Sequence, residues 1–319
     1  MSADISFLTP YWSGREMMTV HLESVRQFYP DAPIIISKRD GGHEEMDAHR
    51  VRFGVDYIIE DCSHTDAVLR LFTRCRTEFA CVLDHDVVLL STLDPYVRAI
   101  RAGEYDLVGF EERVREPAEL REARIAPEFN GWLRLAPGST GVNFLIFNLR
   151  DFLARYGLRG VRGMRRGAGG HFEYDYGIGQ RLMRHKYLLP YHTPRYGVGN
   201  LLMDGAERVA WHQWYGSHGR RLSGTEHERS DESGVELRAQ YVARTEQQFL
   251  ADYPHLDFSQ LDPAWGPELD VAQEIGAIST PGFIARTARR IRRWPSYGVS
   301  GILDKLRVRL SRWQHLLRR

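Results

Sequence analysis

The sequence predicts an α/β protein: a mostly parallel, twisted sheet with helices on both faces. Three observations predict it. Strand-like and helix-like segments alternate over roughly the first ninety residues, as in doubly wound sheets. Ile34-Ile35-Ile36 and Phe79-Ala80-Cys81-Val82-Leu83 are unbroken apolar runs, the pattern of strands buried on both faces. Polar residues follow these runs, at the strand ends where such sheets bind ligands.

Taken in order, Ile5–Thr9 reads as a strand stopped by Pro10. Glu16–Tyr29 has helical spacing, with Met17, Val20, Leu22, Val25 and Phe28 on one broad face. Pro33–Ser37 is a second strand, broken by Asp40-Gly41-Gly42. Tyr57–Glu60 is a third. Asp66–Arg76 is a helix, with Ser63 or Thr65 as its N-cap. Phe79–Leu83 is a fourth strand and runs directly into Asp84-His85-Asp86. Further on, Tyr105–Phe110 and Gly141–Asn148 read as strands, and a helix starts at Asp151. The charged stretch Glu111–Pro137 and the Gly/Arg-rich stretch Gly160–Gly170 read as loops. Phe172–His185 reads as a helix, Ala210–His218 as a strand and turn, and Val235–Asp252 as a helix. The organisation is one domain over 1–255 and an extension over 256–319.

The chain has 319 residues, 43% hydrophobic and 27% charged, with a formal net charge of +1. That balance offers no strong field for nucleic acid, so none is expected as a partner. Three cysteines without a CxxC pair exclude a zinc site of that type and a disulfide framework. No run approaches the roughly 20 apolar residues needed to cross a bilayer. The N-terminal residues lack a secretory pattern. The expected location is cytoplasmic, with any membrane contact peripheral, on the inner face.

Asp84 and Asp86 stand at i and i+2 just past a buried strand. Two carboxylates there can hold a hard divalent cation, Mn²⁺ or Mg²⁺, against substrate phosphates. The bare Asp-x-Asp pattern is weak, and the same residues would also make a solvated turn. Position strengthens it, because Thr9, Asp40 and Asp61 mark the ends of three other proposed strands.

Phe7-Leu8-Thr9-Pro10-Tyr11, Ile34 to Gly41, and Arg76 to Val87 resemble the GT-A glycosyltransferases, with family 2 transferases nearest over this half. The resemblance covers roughly residues 4 to 220. It implies a Rossmann-like GT-A fold, a nucleoside diphosphate sugar as donor and a glycan or lipid-linked acceptor. It places Thr9, Tyr11 and Asp40 near the base and ribose, and it makes Arg70 a phosphate or base partner. Asp61, Asp84 and His85 fall in the same nucleotide-binding edge. Ser139 to Leu149 resembles a glycogenin-like segment on the acceptor side, where Thr140 and Asn143 would meet sugar hydroxyls. The first half thus leans towards inversion of the sugar and this segment towards retention.

The resemblance also implies an acceptor-side carboxylate within His171–Gly177. Asp175 is the first choice and Glu173 the second; both would equally suit the start of a helix. Trp211-His212-Gln213-Trp214 resembles the segment that carries a third metal ligand. His212 is favoured and His218 is the alternative. Arg162, Arg165 and Arg166 would meet an anion if Gly160–Gly170 closed as a lid.

The end of the chain differs from the rest. Residues 286–319 hold ten arginines and one lysine against the single acid Asp304. Leu303, Leu306, Leu310, Trp313 and Leu317 share one helical face. A basic amphipathic helix of this kind suits an anionic membrane surface, or docking on a protein.

Overall fold

The computed structural model describes residues 4–39, 41–62, 64–110, 113–115, 132–134, 143–156, 164–166, 172–174, 184–197, 199–213 and 232–263. All fall within one compact unit, Met1–Gly266. Residues 286–319, and with them the proposed amphipathic helix, lie outside the described residues.

Four parallel strands form the first half: β1 (Ile5–Tyr11), β2 (Ile34–Lys38), β3 (Asp56–Ile59) and β4 (Phe79–Leu83). The connecting helices are α1 (Arg15–Phe28), α2 (His43–Phe53) and α3 (His64–Arg74). The chain continues through β5 (Val87–Leu89), α4 (Asp94–Arg101), β6 (Leu107–Phe110), β7 (Arg113–Arg115), β8 (Trp132–Arg134), β9 (Phe144–Asn148) and α5 (Leu149–Tyr156). It ends with β10 (Met164–Arg166), β11 (Phe172–Tyr174), β12 (His185–His192), β13 (Asn200–Asp204), β14 (Glu207–His212), α6 (Glu232–Asp252) and β15 (Asp262–Pro263).

The main sheet runs β3-β2-β1-β4-β9-β6-β12-β13-β14-β5, with β15 pairing β12. β3, β2, β1 and β4 are parallel, β9 is threaded antiparallel between β4 and β6, and β12 is parallel to β6. The strand order reverses between β1 and β4, and ligands of open α/β sheets bind at such a reversal.

Helices cover both faces, as the alternating pattern predicts. Phe7, Cys81 and Leu83 pack with Leu22 and Val25 of α1, Met46 of α2 and Val97 of α4. Leu8, Ala80 and Val82 point the other way, towards Val68, Leu71 and Phe72 of α3 and Phe152 of α5. The two sets alternate along β1 and β4, as the pleat requires. Cys81 is fully buried and its thiol is pushed well up by desolvation, so it serves as a small core residue.

Several readings change. Pro10 does not stop β1, which continues to Tyr11 with Pro10 opposite Ser37. Phe7 N–H and Tyr11 C=O both bond on the β2 side, so the missing donor of Pro10 faces the β4 side. The pairing with β4 has ended there at Leu8. Thr65 lies inside α3, so it does not cap it, and Ser63 is outside the described residues. α4 went unread in the sequence, and α2 was expected only as a connection between the second and third strands, without bounds. α2 buries only Met46, His49 and Phe53 among charged residues, which leaves no strong apolar stripe. The helix expected over Phe172–His185 is replaced at both ends by strand, β11 and the start of β12.

Candidate metal centre

β4 delivers Leu83 to a tight turn, Asp84-His85-Asp86-Val87. The turn is closed by Val87 N–H donating to Asp84 C=O at 3.0 Å. Asp84 N–H donates to Asn143 C=O at 3.0 Å, and Gln213 N–H donates to Asp86 C=O at 3.0 Å. β5 then leaves the parallel sheet and pairs antiparallel with β14, with His212 opposite Val87. That pairing brings a histidine from far along the chain beside the turn.

Asp84, Asp86 and His212 offer ligand atoms that all lie within 4.8 Å of one another. A single cation with bonds of about 2.1–2.3 Å spans at most roughly 4.5 Å between opposite ligands, so shifts of a few tenths of an ångström suffice. His212 Nε2 is 3.4 Å from Asp86 Oδ1, and both side chains are buried. Burial pushes the Asp86 carboxyl up, but the His212 charge and hydrogen bond, then His85, outweigh it and hold it below the usual range. Two carboxylates beside an imidazole fit Mn²⁺ or Mg²⁺, with nitrogen favouring Mn²⁺.

Tyr11 and His85 extend this edge of the sheet. Their rings lie 5.2 Å apart between centroids, and both side chains are buried. The Tyr11 hydroxyl donates to Glu45 Oε1, and the Lys38 ammonium sits 4.2 Å from the Tyr11 ring centre. Thr9 lies in β1 as expected, yet it is fully buried and its hydroxyl is engaged by His21 rather than turned outward. Asp61 is exposed and pairs with Arg39 at 3.2 Å. Arg70 projects from α3 and donates to Glu60 at 2.6 Å. Asp40, Thr140, Arg162, Asp175 and His218 lie outside the described residues. Glu173 falls on β11, not at a helix start. Arg165 and Arg166 fall on β10, which pairs antiparallel with β11.

Residues not singled out in the sequence also build the site. His21 is fully buried on the apolar face of α1, where a histidine amid Met17, Met18, Leu22 and Val25 was the available signal. Lys38 is buried at the end of β2 and donates to Trp12 C=O at 3.2 Å. Gly42 makes room for it. A Cβ there would lie 2.5 Å from Lys38 Cε, and the backbone has φ +73°. Gln213 is buried with neither amide atom hydrogen-bonded, directly after His212. His192, Asn200 and His212 are opposite one another across β12, β13 and β14, a buried polar row ending at the centre.

The His212 side is braced from the opposite face of the hairpin. Trp211 stacks on Phe249 of α6 with ring centres 4.0 Å apart, and Tyr196 packs edge-on to both. Trp211 Nε1–H donates to Thr193 Oγ1 at 3.0 Å, which donates to Gly199 C=O at 2.7 Å.

No family model matches the chain, and no curated protein matches it in sequence. Among solved structures, TarS of S. aureus aligns over 58% of this chain and 35% of its own length, at 13% identity and a TM-score of 0.37. TarS residues 1–349 align over 85% of this chain and 77% of theirs, at 11% identity and a TM-score of 0.41. The bifunctional IspDF of Campylobacter jejuni aligns over 46% of this chain and 41% of its own, at 12% identity and a TM-score of 0.29. At that level of likeness, the functional reading rests on the site itself.

Proposed function

We propose that the protein is a metal-dependent GT-A glycosyltransferase, moving a sugar from a nucleoside diphosphate sugar to a hydroxyl of a glycan or lipid-linked acceptor. The observation that carries this reading is the convergence of Asp84, Asp86 and His212 where the strand order reverses. Asp84, Asp86 and His212 would hold Mn²⁺ or Mg²⁺, and the cation would neutralise charge on the departing diphosphate. Tyr11, His85 and Lys38 line the same edge of the sheet and would bound the nucleotide, and Arg70 of α3 is proposed as a phosphate or base partner by the sequence resemblance. Asp175 is the proposed base towards the acceptor, with Glu173 next, by the sequence resemblance. The basic segment 286–319 is proposed to hold the enzyme to an anionic membrane surface, on the cytoplasmic side. Among the described residues no helix is long and apolar enough to cross a membrane.

The competing reading is nucleotidyl transfer, which also uses a doubly wound sheet and a bound nucleotide. Leu8-Thr9-Pro10-Tyr11-Trp12-Ser13-Gly14 lacks the Gly-rich phosphate loop that such enzymes place after their first strand. A panel of nucleoside diphosphate sugars and nucleoside triphosphates separates the two. The proposal expects at least one diphosphate sugar to raise the melting temperature only with Mn²⁺ or Mg²⁺ present. Stabilisation by triphosphates alone, or by no nucleotide at all, would overturn it.

A further inference from the structure

We infer that His21 is a positioning residue for the Asp84/Asp86/His212 centre, holding the carboxylate turn through the backbone carbonyl of Val87. The inference rests on the metal reading above and names a residue that reading does not use.

The four-residue turn is anchored at four backbone groups. Asp84 N–H is taken by Asn143 C=O, Asp84 C=O by Val87 N–H, and Asp86 C=O by Gln213 N–H. The fourth anchor, Val87 C=O, is 2.6 Å from His21 Nδ1. The first three partners are backbone: Val87 N–H closes the turn on itself, and Asn143 C=O and Gln213 N–H follow from the sheet pairing. The fourth is a side chain from a helix, so the sequence chooses it at one position.

The chemistry fixes how His21 acts. A carbonyl only accepts, so Nδ1 carries the proton and donates to Val87. Nε2 is then an acceptor, and Thr9 Oγ1 lies 3.0 Å away to donate to it. Both ring nitrogens are thereby satisfied in a fully buried site, and the ring has one orientation and one tautomer. The ring is thus a strut between β1 and the residue that follows Asp86. One turn further along α1, Ser24 Oγ accepts from Leu89 N–H at 3.0 Å and donates to His21 C=O at 2.7 Å. Ser24 fastens the same helix to the same strand, three residues past Asp86. It therefore separates general stitching of α1 to β5 from positioning of the carboxylates.

Two polar substitutions split the roles of the ring. In His21→Asn the amide nitrogen is as many bonds from Cα as Nδ1, so the bond to Val87 is kept. In His21→Gln it matches Nε2, so the Thr9 contact is kept and the Val87 bond is lost. The readout is Mn²⁺ affinity by electron paramagnetic resonance titration, without donor or turnover. Loss of a bond that orients metal ligands weakens binding by about 10-fold or more. His21→Gln is expected to show that loss, His21→Asn to stay within about 3-fold of wild type, and Ser24→Ala to bind Mn²⁺ as wild type does. Equal affinity in the Asn and Gln variants, or an equal loss in Ser24→Ala, would overturn the inference. A wild-type protein that binds no Mn²⁺ would instead remove the metal reading, and this inference with it.

Discussion

Asp84 and Asp86 reach the centre from positions two apart in one turn just past a buried strand, whereas His212 arrives on an antiparallel hairpin formed far later in the chain. The carboxylates are held by backbone hydrogen bonds and by His21. The histidine is held by how a hairpin packs against a helix, chiefly Trp211 on Phe249 and Tyr196. The first side is a local device, and the second is a tertiary one. Damage to the carboxylates should therefore remove function from a folded protein, while damage behind His212 should remove the fold first.

The sharpest break in that comparison is Trp211→Ala. Trp211 is fully buried, and emptying such a site costs about 3–5 kcal/mol. Denaturant unfolding should show a loss of that size, and a loss under about 1 kcal/mol would mean the hairpin is braced elsewhere. Next is Asp86→Asn, which should leave the melting temperature near wild type yet weaken Mn²⁺ binding by about 100-fold, roughly 2.7 kcal/mol. His212→Ala should weaken it less, by about 10-fold, because two carboxylates remain.

Acid should act through His21. Desolvation, partly offset by the bond to Val87, lowers its pKa from 6.5 to about 4. Above pH 6.5 the ring is neutral both folded and unfolded. Between 6.5 and about 4 only the unfolded chain takes the proton, so stability falls as pH drops through that window. The loss from this one group approaches about 3 kcal/mol below pH 4, and it should shrink in His21→Asn. An unchanged pH slope in that variant would assign the loss to other groups. The smallest effect is Arg70→Ala. The Arg70–Glu60 pair is solvent-exposed, so stability should change by under about 1 kcal/mol while nucleotide affinity falls.

The same comparison explains what the sequence could show. β4, the Asp84-His85-Asp86 turn and the parallel half follow from continuous apolar runs and local breaks, which are short-range signals. β12 and β13 were not legible. β12 alternates only weakly between buried and half-buried residues and carries Pro190, and its role depends on pairing with β6 and β13. His212 was reachable only through resemblance, because nothing near it in sequence marks it as a neighbour of Asp86. His21 was legible as an oddity, a polar ring within an apolar helical stripe, but its partner Val87 lies 66 residues away. Thr9 shows the opposite case. It lies in the expected strand, but β1 runs on to Tyr11, so Thr9 is interior rather than terminal, and its side chain meets His21 of α1.

The central claim is a nucleotide held through a divalent cation by Asp84, Asp86 and His212. Calorimetric titration of UDP, GDP, ADP, CDP and dTDP into the full chain tests it most directly, with Mn²⁺ and again with EDTA. The account predicts saturable binding of at least one of them with Mn²⁺, lost in EDTA and lost in Asp86→Asn. Binding that survives EDTA, or that is unchanged in Asp86→Asn, would contradict it.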